Sequence, residues 1–114
     1  PMQGRAPLLA VCGTRPEVVK MAPVIRALRC KGHRVVLVMT GQHPDLAPQI
    51  LRELDLIPDV DLRACQPGMA PPQQLAAILC RLGPVISAWR PQLALVQGDT
   101  VSTLGGALGA AYAR

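Results

Sequence analysis

LLAVCGTRPE, residues 8–17, joins five consecutive apolar residues to a glycine and a short polar segment. An apolar run of this length that ends at Gly13 predicts a strand buried on both faces, as in a parallel sheet. Pro16 suits a first helical turn, and the apolar spacing that follows predicts a helix over residues 16–30. Pro23 lies inside this helix and is expected to kink or divide it.

The alternation of strand and helix continues along the chain. Further strands are predicted at 35–39, 60–62 and 93–97, further helices at 44–54, 73–89 and from 100 onward, and a loop over 66–72. This alternation indicates parallel strands joined by right-handed crossovers, with helices on both faces of the sheet. The predicted fold class is therefore α/β, a Rossmann-like doubly wound parallel sheet.

Composition limits the classes of function. The 114 residues predict one domain, and the absence of Phe, with one Trp and one Tyr, argues against proteins that stack single-stranded nucleic acid on aromatic rings. The formal charge of +5 is not concentrated in a stripe, so no nucleic-acid partner is expected, and a moderate positive charge suits an anionic small ligand.

No apolar stretch approaches the length of a membrane span and no secretory signal opens the chain, so no membrane partner is expected. Because the first residue is Pro1, we expect a processed protein or a piece of a longer one.

The four cysteines are Cys12, Cys30, Cys65 and Cys80. Their spacing matches no metal-binding pattern, so no metal site is predicted. We expect free, mostly buried thiols in a reducing cytoplasm rather than two disulfides.

Polar residues follow three of the predicted strands, in the turns 13–17, 40–43 and 98–100. The carboxyl ends of parallel strands meet at one edge of the sheet, where ligands bind in such folds. The helix that follows each turn offers unpaired N–H groups and a partial positive charge. We therefore expect all three turns to face one ligand site.

The charged residues of these turns each allow two interpretations. Arg15 can bind a phosphate or carboxylate with its planar fork, or it can be a surface arginine paired with Glu17 or Asp99. Lys20, one helical turn further on, either faces the same site or is simply solvated. Asp99 is either a general acid or base, or a hydroxyl binder, or only the N-cap of the last helix. His43 is either a ligand contact or a turn residue.

Several linked segments resemble the non-hydrolysing UDP-N-acetylglucosamine 2-epimerases. They are GTRPE at 13–17, KMAP at 20–23, TGQH at 40–43, PDVDL at 58–62, QPG at 66–68 and GDT at 98–100. The resemblance runs from about residue 8 to residue 114 in the same order. It implies no redox cofactor, and the missing Gly-x-Gly-x-x-Gly fingerprint after the first strand also counts against NAD or FAD.

The resemblance implies that residues 1–114 form the N-terminal Rossmann-like domain of a glycosyltransferase-B-type fold, without its uridine-binding second domain. Such enzymes interconvert UDP-N-acetylglucosamine and UDP-N-acetylmannosamine by eliminating UDP and adding it back, and they feed polysaccharide synthesis. The implied protein is a cytoplasmic isomerase, a homodimer when full-length, and the present chain is expected to be inactive alone. Three alternatives stay open: a hydrolysing epimerase, a glycosyltransferase, and a non-catalytic remnant or interaction module.

The resemblance also implies roles for individual residues. Asp99 is the catalytic candidate, and the substrate-binding candidates are Gly13, Thr14, Arg15, Lys20, Gln42 and His43. Gln42 matches a position that helps some members bind an allosteric UDP-N-acetylglucosamine. An arginine used by those members falls at Gly68, which puts allosteric activation by substrate in doubt.

Overall fold

The computed structural model describes residues 5–43 and 48–113. Its elements are β1 (Leu8–Cys12), α1 (Arg15–Cys30), β2 (Val35–Met39), α2 (Pro48–Glu53), β3 (Val60–Asp61), α3 (Pro71–Trp89), β4 (Leu93–Leu95) and α4 (Val101–Tyr112). The predicted alternation of strands and helices is therefore confirmed. Within the described ranges, none of the helices combines the length and the apolarity that a membrane crossing requires.

The four strands form one parallel sheet in the order β3-β2-β1-β4. The chain builds the sheet from β1 in one direction and then returns to place β4 on the other side of β1, so the strand order reverses between β1 and β4. All five residues of β1 pair with β2, but the pairing of β1 with β4 ends at Ala10 and Leu95. The two strands therefore separate toward their carboxyl ends, at the position where doubly wound sheets bind ligands.

The core is aliphatic and covers both faces of the sheet, as the composition predicts. One cluster joins alternate residues of β1 and β2 to α1 and α2, and includes the fully buried Ile25 and Leu37. The other joins the opposite side chains of the same strands to α3, and includes the fully buried Leu9, Ile78 and Leu82. The sheet that carries the candidate site is thus fixed from both sides.

Pro23 does not divide its helix, because α1 continues through it, as α3 continues through Pro84. Both prolines lie on exposed helix faces. The carbonyl that loses its helical donor can therefore bond to water, which lowers the cost of proline there. The third helix also begins at Pro71 rather than residue 73, because proline is well suited to a first turn, where no helical N–H bond is lost.

The remaining boundaries differ from prediction by small amounts. The helix predicted over 44–54 is seen over Pro48–Glu53, and residues 44–47 lie outside the described part of the chain. The strand predicted at 60–62 is one residue shorter. The strand predicted at 93–97 ends at Leu95, and the Gln97 carbonyl instead accepts a hydrogen bond from the Thr103 hydroxyl at 3.2 Å.

All four cysteines are free, as predicted, but only Cys12 and Cys65 are buried, whereas Cys30 and Cys80 are exposed. Burial, assisted by the nearby charge of Glu17, raises the pKa of Cys12 to about 12. Cys12 therefore stays a neutral thiol at physiological pH, and its place beside the candidate site does not make it a nucleophile.

Candidate functional site

The three polar turns meet at the carboxyl edge of the sheet, as predicted. The turn after β2 is joined to the start of α4 by a buried hydrogen bond of 2.7 Å between the hydroxyls of Thr40 and Ser102. These residues are 62 positions apart in the chain. The edge is thus a structure built from distant segments, and not three independent loops.

Gly13 lies where the turns after β1 and β2 approach α4. A Cβ atom on Gly13 would lie 1.8 Å from the Ser102 Oγ and 2.4 Å from the Thr40 Oγ1. Real Cβ atoms essentially never approach that closely. Glycine is therefore required here for close packing of the two hydroxyls, a structural need that the sequence pattern did not distinguish from ligand access.

Gln42 belongs to the same internal network. Its Oε1 accepts hydrogen bonds from the Ser102 hydroxyl at 2.6 Å and from the Ser102 backbone N–H at 3.2 Å. Its own N–H donates to the Thr40 Oγ1 at 3.1 Å. Because the single hydroxyl proton of Ser102 goes to Gln42, the Thr40 hydroxyl is the donor in its bond with Ser102.

Glu17, predicted only as a possible partner of Arg15 and as part of the GTRPE segment, is instead a buried centre of hydrogen bonding. Its side chain is buried, with an exposed fraction of 2%. Its Oε1 accepts from the backbone N–H groups of Gly13 at 2.7 Å and Thr14 at 3.1 Å. Two of the backbone donors expected to bind an anion therefore serve Glu17 instead. The Thr-x-x-Glu spacing of residues 14–17, typical of a capping box, is the signal that could have indicated this.

The charged candidates lie at the surface of the same edge. Arg15, Lys20, His43 and Asp99 are all exposed. Neither of the ion pairs found among the described residues includes Arg15, so pairing with Glu17 or Asp99 does not account for it. These side chains are free to meet a ligand from the solvent side.

The interpretation of Asp99 as the N-cap of the last helix is wrong. The N-cap is Thr100, whose Oγ1 accepts a hydrogen bond from the Ser102 N–H at 3.2 Å. Threonine fills this position because its hydroxyl can reach the orphan donors of the first turn. Asp99 has no such structural task and stays available for chemistry.

A cavity of about 550 Å³ opens at this edge, between α2 and the ends of β2 and β3. Gly13, Gly41 and His43 line it together with apolar side chains and two arginines, Arg52 and Arg63, that sequence reasoning did not single out. Arg15, Lys20 and Asp99 do not line it. The edge therefore offers a half-open pocket, and the exposed charges of Arg15, Lys20 and Asp99 lie outside it. Within the residues described, no cluster of three His, Cys, Asp or Glu could hold a metal ion.

Comparison with known proteins gives consistent matches. A family model described as UDP-N-acetylglucosamine 2-epimerase matches residues 26–114. The chain is 39% identical over 112 residues to the UDP-N-acetylglucosamine 2-epimerase of Salmonella typhimurium. This alignment covers 94% of the present chain and 29% of the relative.

Solved structures agree. The UDP-GlcNAc 2-epimerase from Neisseria meningitidis bound to UDP-GlcNAc gives a TM-score of 0.83 at 34% identity, over 92% of this chain and 29% of that one. An S. aureus protein solved with UDP gives a TM-score of 0.84 at 30% identity, over 95% and 28%. The chain spans less than a third of the length of each of these proteins.

Proposed function

This chain belongs to the UDP-N-acetylglucosamine 2-epimerase family, and on that premise we propose that it forms one wall of a UDP-sugar site in an enzyme that interconverts UDP-N-acetylglucosamine and UDP-N-acetylmannosamine. The observation that carries the proposal is the joined carboxyl edge, where exposed Arg15 begins α1, exposed Lys20 lies one helical turn further on, and exposed Asp99 stands on a turn that hydrogen bonds join to the start of α1. Relatives that bind UDP or UDP-GlcNAc share this fold at 30% identity or more.

Cations suit the diphosphate end of such a ligand. The guanidinium of Arg15 is a planar fork that can bind two phosphate oxygens, and Lys20 adds a second positive charge one helical turn away. Because Glu17 occupies the Gly13 and Thr14 N–H groups, we assign the phosphates to side chains and not to a backbone cradle. Gln42 and His43 are proposed to contact the ligand from the neighbouring turn.

Asp99 is proposed to act at the sugar end. In the reaction, a base removes the C2 proton, the C1–O bond breaks, and UDP leaves to give 2-acetamidoglucal. UDP then adds back to C1 while C2 receives a proton on its opposite face. Asp99 would exchange one of these protons or orient the group that does so, which is the work of an exposed carboxylate facing a bound sugar.

The remaining parts of the proposal concern the whole enzyme. Residues 1–114 serve as the N-terminal domain, and a second domain contributes the uridine site and closes the cleft. The enzyme is proposed to be a cytoplasmic homodimer that supplies polysaccharide synthesis.

The test uses a chimera in which residues 1–114 replace the matched segment of the Salmonella relative. Arg15→Ala should weaken UDP binding by about 1.5–3 kcal/mol, the range for a hydrogen bond to a charged group. Arg15→Lys should restore only part of the affinity, because a point charge does not reproduce the fork. Calorimetric titration with UDP measures both variants.

Arg5→Ala is the matched control, since exposed Arg5 precedes β1 and so lies toward the opposite edge of the sheet. Unchanged UDP affinity in both Arg15 variants would remove Arg15 from the site. Release of UDP with free sugar, and no C2 epimer, would instead assign the chain to a hydrolysing enzyme.

A further inference from the structure

Glu17 is a buried carboxylate that faces two helix N-termini at once. It lies in the first turn of α1. Its Oε2 accepts a hydrogen bond from the Thr100 hydroxyl at 2.5 Å, and the Thr103 hydroxyl, at 3.2 Å, shares its proton between this Oε2 and the Gln97 carbonyl. With the two N–H groups on Oε1, three full donors and one shared donor surround the carboxylate. Neither described ion pair includes it, so these donors and the positive ends of α1 and α4 compensate its charge.

The bonds of Glu17 reach the immediate neighbours of both principal site residues. Thr14 directly precedes Arg15 in the turn after β1, and Thr100 directly follows Asp99 in the turn after β4. The two turns are 83 residues apart along the chain, and β1 and β4 have already separated at this end of the sheet. Where β1 and β4 have separated, the hydrogen bonds of the Glu17 carboxylate connect the two turns. Backbone hydrogen bonds connect the same two strands at their amino ends.

Packing around Glu17 supports the same interpretation. Gly98 adopts φ +122°, and a Cβ atom there would lie 3.0 Å from the Glu17 Oε2. A side chain at position 98 would therefore crowd the Glu17 carboxylate, so the turn that carries Asp99 packs closely beside it.

We infer that Glu17 is a positioning residue, which fixes the Asp99 turn relative to the Arg15 turn without touching the substrate. The effect of Glu17 on turnover rests on the proposed function, whereas its effect on the structure of the two turns rests on the hydrogen bonds alone. Glu17→Gln weakens the α4 side of this connection selectively. The amide oxygen can still accept from Gly13 and Thr14, but the charged acceptor for the Thr100 and Thr103 hydroxyls is lost, and those hydroxyls can bond to the amide nitrogen only as acceptors. Thr100 Oγ1 would then accept from the amide as well as from the Ser102 N–H.

In the chimera, Glu17→Gln should lower kcat for epimerisation about 10- to 100-fold, because a small misplacement of a catalytic group is that costly. The KM should change less than about threefold, since Arg15 keeps its turn. Thr103→Val removes one donor from the other side, and its effect on kcat should be less than additive with that of Glu17→Gln.

Gln73→Ala is the matched control. Gln73 stands in the first turn of α3 and its Oε1 accepts from the Ala70 N–H at 3.1 Å, so its loss weakens a helix start elsewhere. A kcat no lower in Glu17→Gln than in Gln73→Ala, or a change in KM alone, would overturn the inference.

Amide hydrogen exchange in the 114-residue chain keeps the inference separable from the proposed function. Glu17→Gln should speed exchange of the Ser102 amide at least about tenfold, because the loosened α4 start opens more often, whereas Gln73→Ala should leave it unchanged. An inactive wild-type chimera would count against the proposed function, and the exchange result would then decide the inference alone: unchanged Ser102 exchange in Glu17→Gln overturns it.

Discussion

Asp99 and Thr100 are neighbours at the residue scale, yet the structure gives them different tasks. Thr100 caps α4 and donates to Glu17, whereas Asp99 is exposed. In the chimera, Asp99→Asn should therefore keep the fold and lower kcat about 10²- to 10⁴-fold, the usual contribution of a general acid or base. Turnover measured with UDP-N-acetylglucosamine checks this, and near-normal turnover would remove Asp99 from the chemistry.

Stability separates the two residues independently of activity. Thr100→Ala should lower the free energy of unfolding by about 1 kcal/mol through loss of the cap, and by a further amount of about 1.5–3 kcal/mol through loss of the donor to the buried Glu17 carboxylate. Asp99→Ala should change it by less than about 0.5 kcal/mol, as is usual for surface positions. Urea unfolding of the 114-residue chain measures both, and equal destabilisation by the two variants would contradict the assignment of the cap to Thr100.

The sequence identified the exposed residues of the site better than the buried ones. Arg15 and Asp99 stand out because a charged residue in the turn that leaves a buried apolar strand seldom packs into the core. The Thr-x-x-Glu spacing indicates only the local bonds of Glu17 to Gly13 and Thr14. The pairing of Glu17 with Thr100 and Thr103, and that of Ser102 with Gln42, join residues at least 60 positions apart. Such long-range pairings are created by the fold and leave no local pattern.

At the scale of the elements, the small residues of α4 allow close helix packing. A Cβ atom on Gly105 would lie 2.8 Å from the Ile78 Cγ2 of α3, and one on Gly109 would lie 2.8 Å from the Leu82 Cδ2. The isoleucine methyl branches at Cβ and is held rigidly in its helix, whereas the leucine methyl is the end of a longer side chain that can rotate.

The two glycines should therefore respond differently to the same substitution. Gly105→Ala should destabilise the chain by about 1–3 kcal/mol through overpacking. Gly109→Ala should fall within about 1 kcal/mol of wild type, because gained helix propensity offsets a smaller clash. Thermal or urea unfolding of both variants is the measurement, and equal losses would show that the glycines are packed alike.

Sequence patterns predicted every element but not all of their boundaries. Strands β1 and β2 were predicted at their observed ends, because each apolar run is bounded sharply, the first by Pro7 and Gly13 and the second by Arg34 and Thr40. β4 was predicted two residues too long, since Val96 continues the apolar run up to the turn at Gly98 while the chain has already left β1. Local propensity cannot report where a neighbouring strand stops pairing.

On the scale of the whole molecule, the candidate groups lie on one open edge. Arg15, Lys20 and Asp99 are all exposed to water, whereas acid–base chemistry on a sugar needs charges held in a closed site from which water is excluded. The 114-residue chain should therefore show no epimerisation, and the chimera should. The assay follows formation of the C2 epimer and release of UDP, and turnover by the isolated chain would contradict the need for a second wall.

The hydrogen bond from Thr100 to Glu17 spans 83 residues, so it should form after the pairing of β1 with β2 during folding. Strand β1 can find β2 as soon as the single helix between them has formed, but Glu17 meets Thr100 only across 83 residues. Closing the longer loop costs more conformational entropy and comes later. During synthesis on a ribosome, the turn that holds Arg15 and Glu17 emerges before α4. The Glu17 carboxylate is hydrated until the start of α4 has been synthesised. The candidate site edge is thus completed after β1 and β2 have paired, when the hydroxyls of Thr100 and Thr103 replace the water around the Glu17 carboxylate.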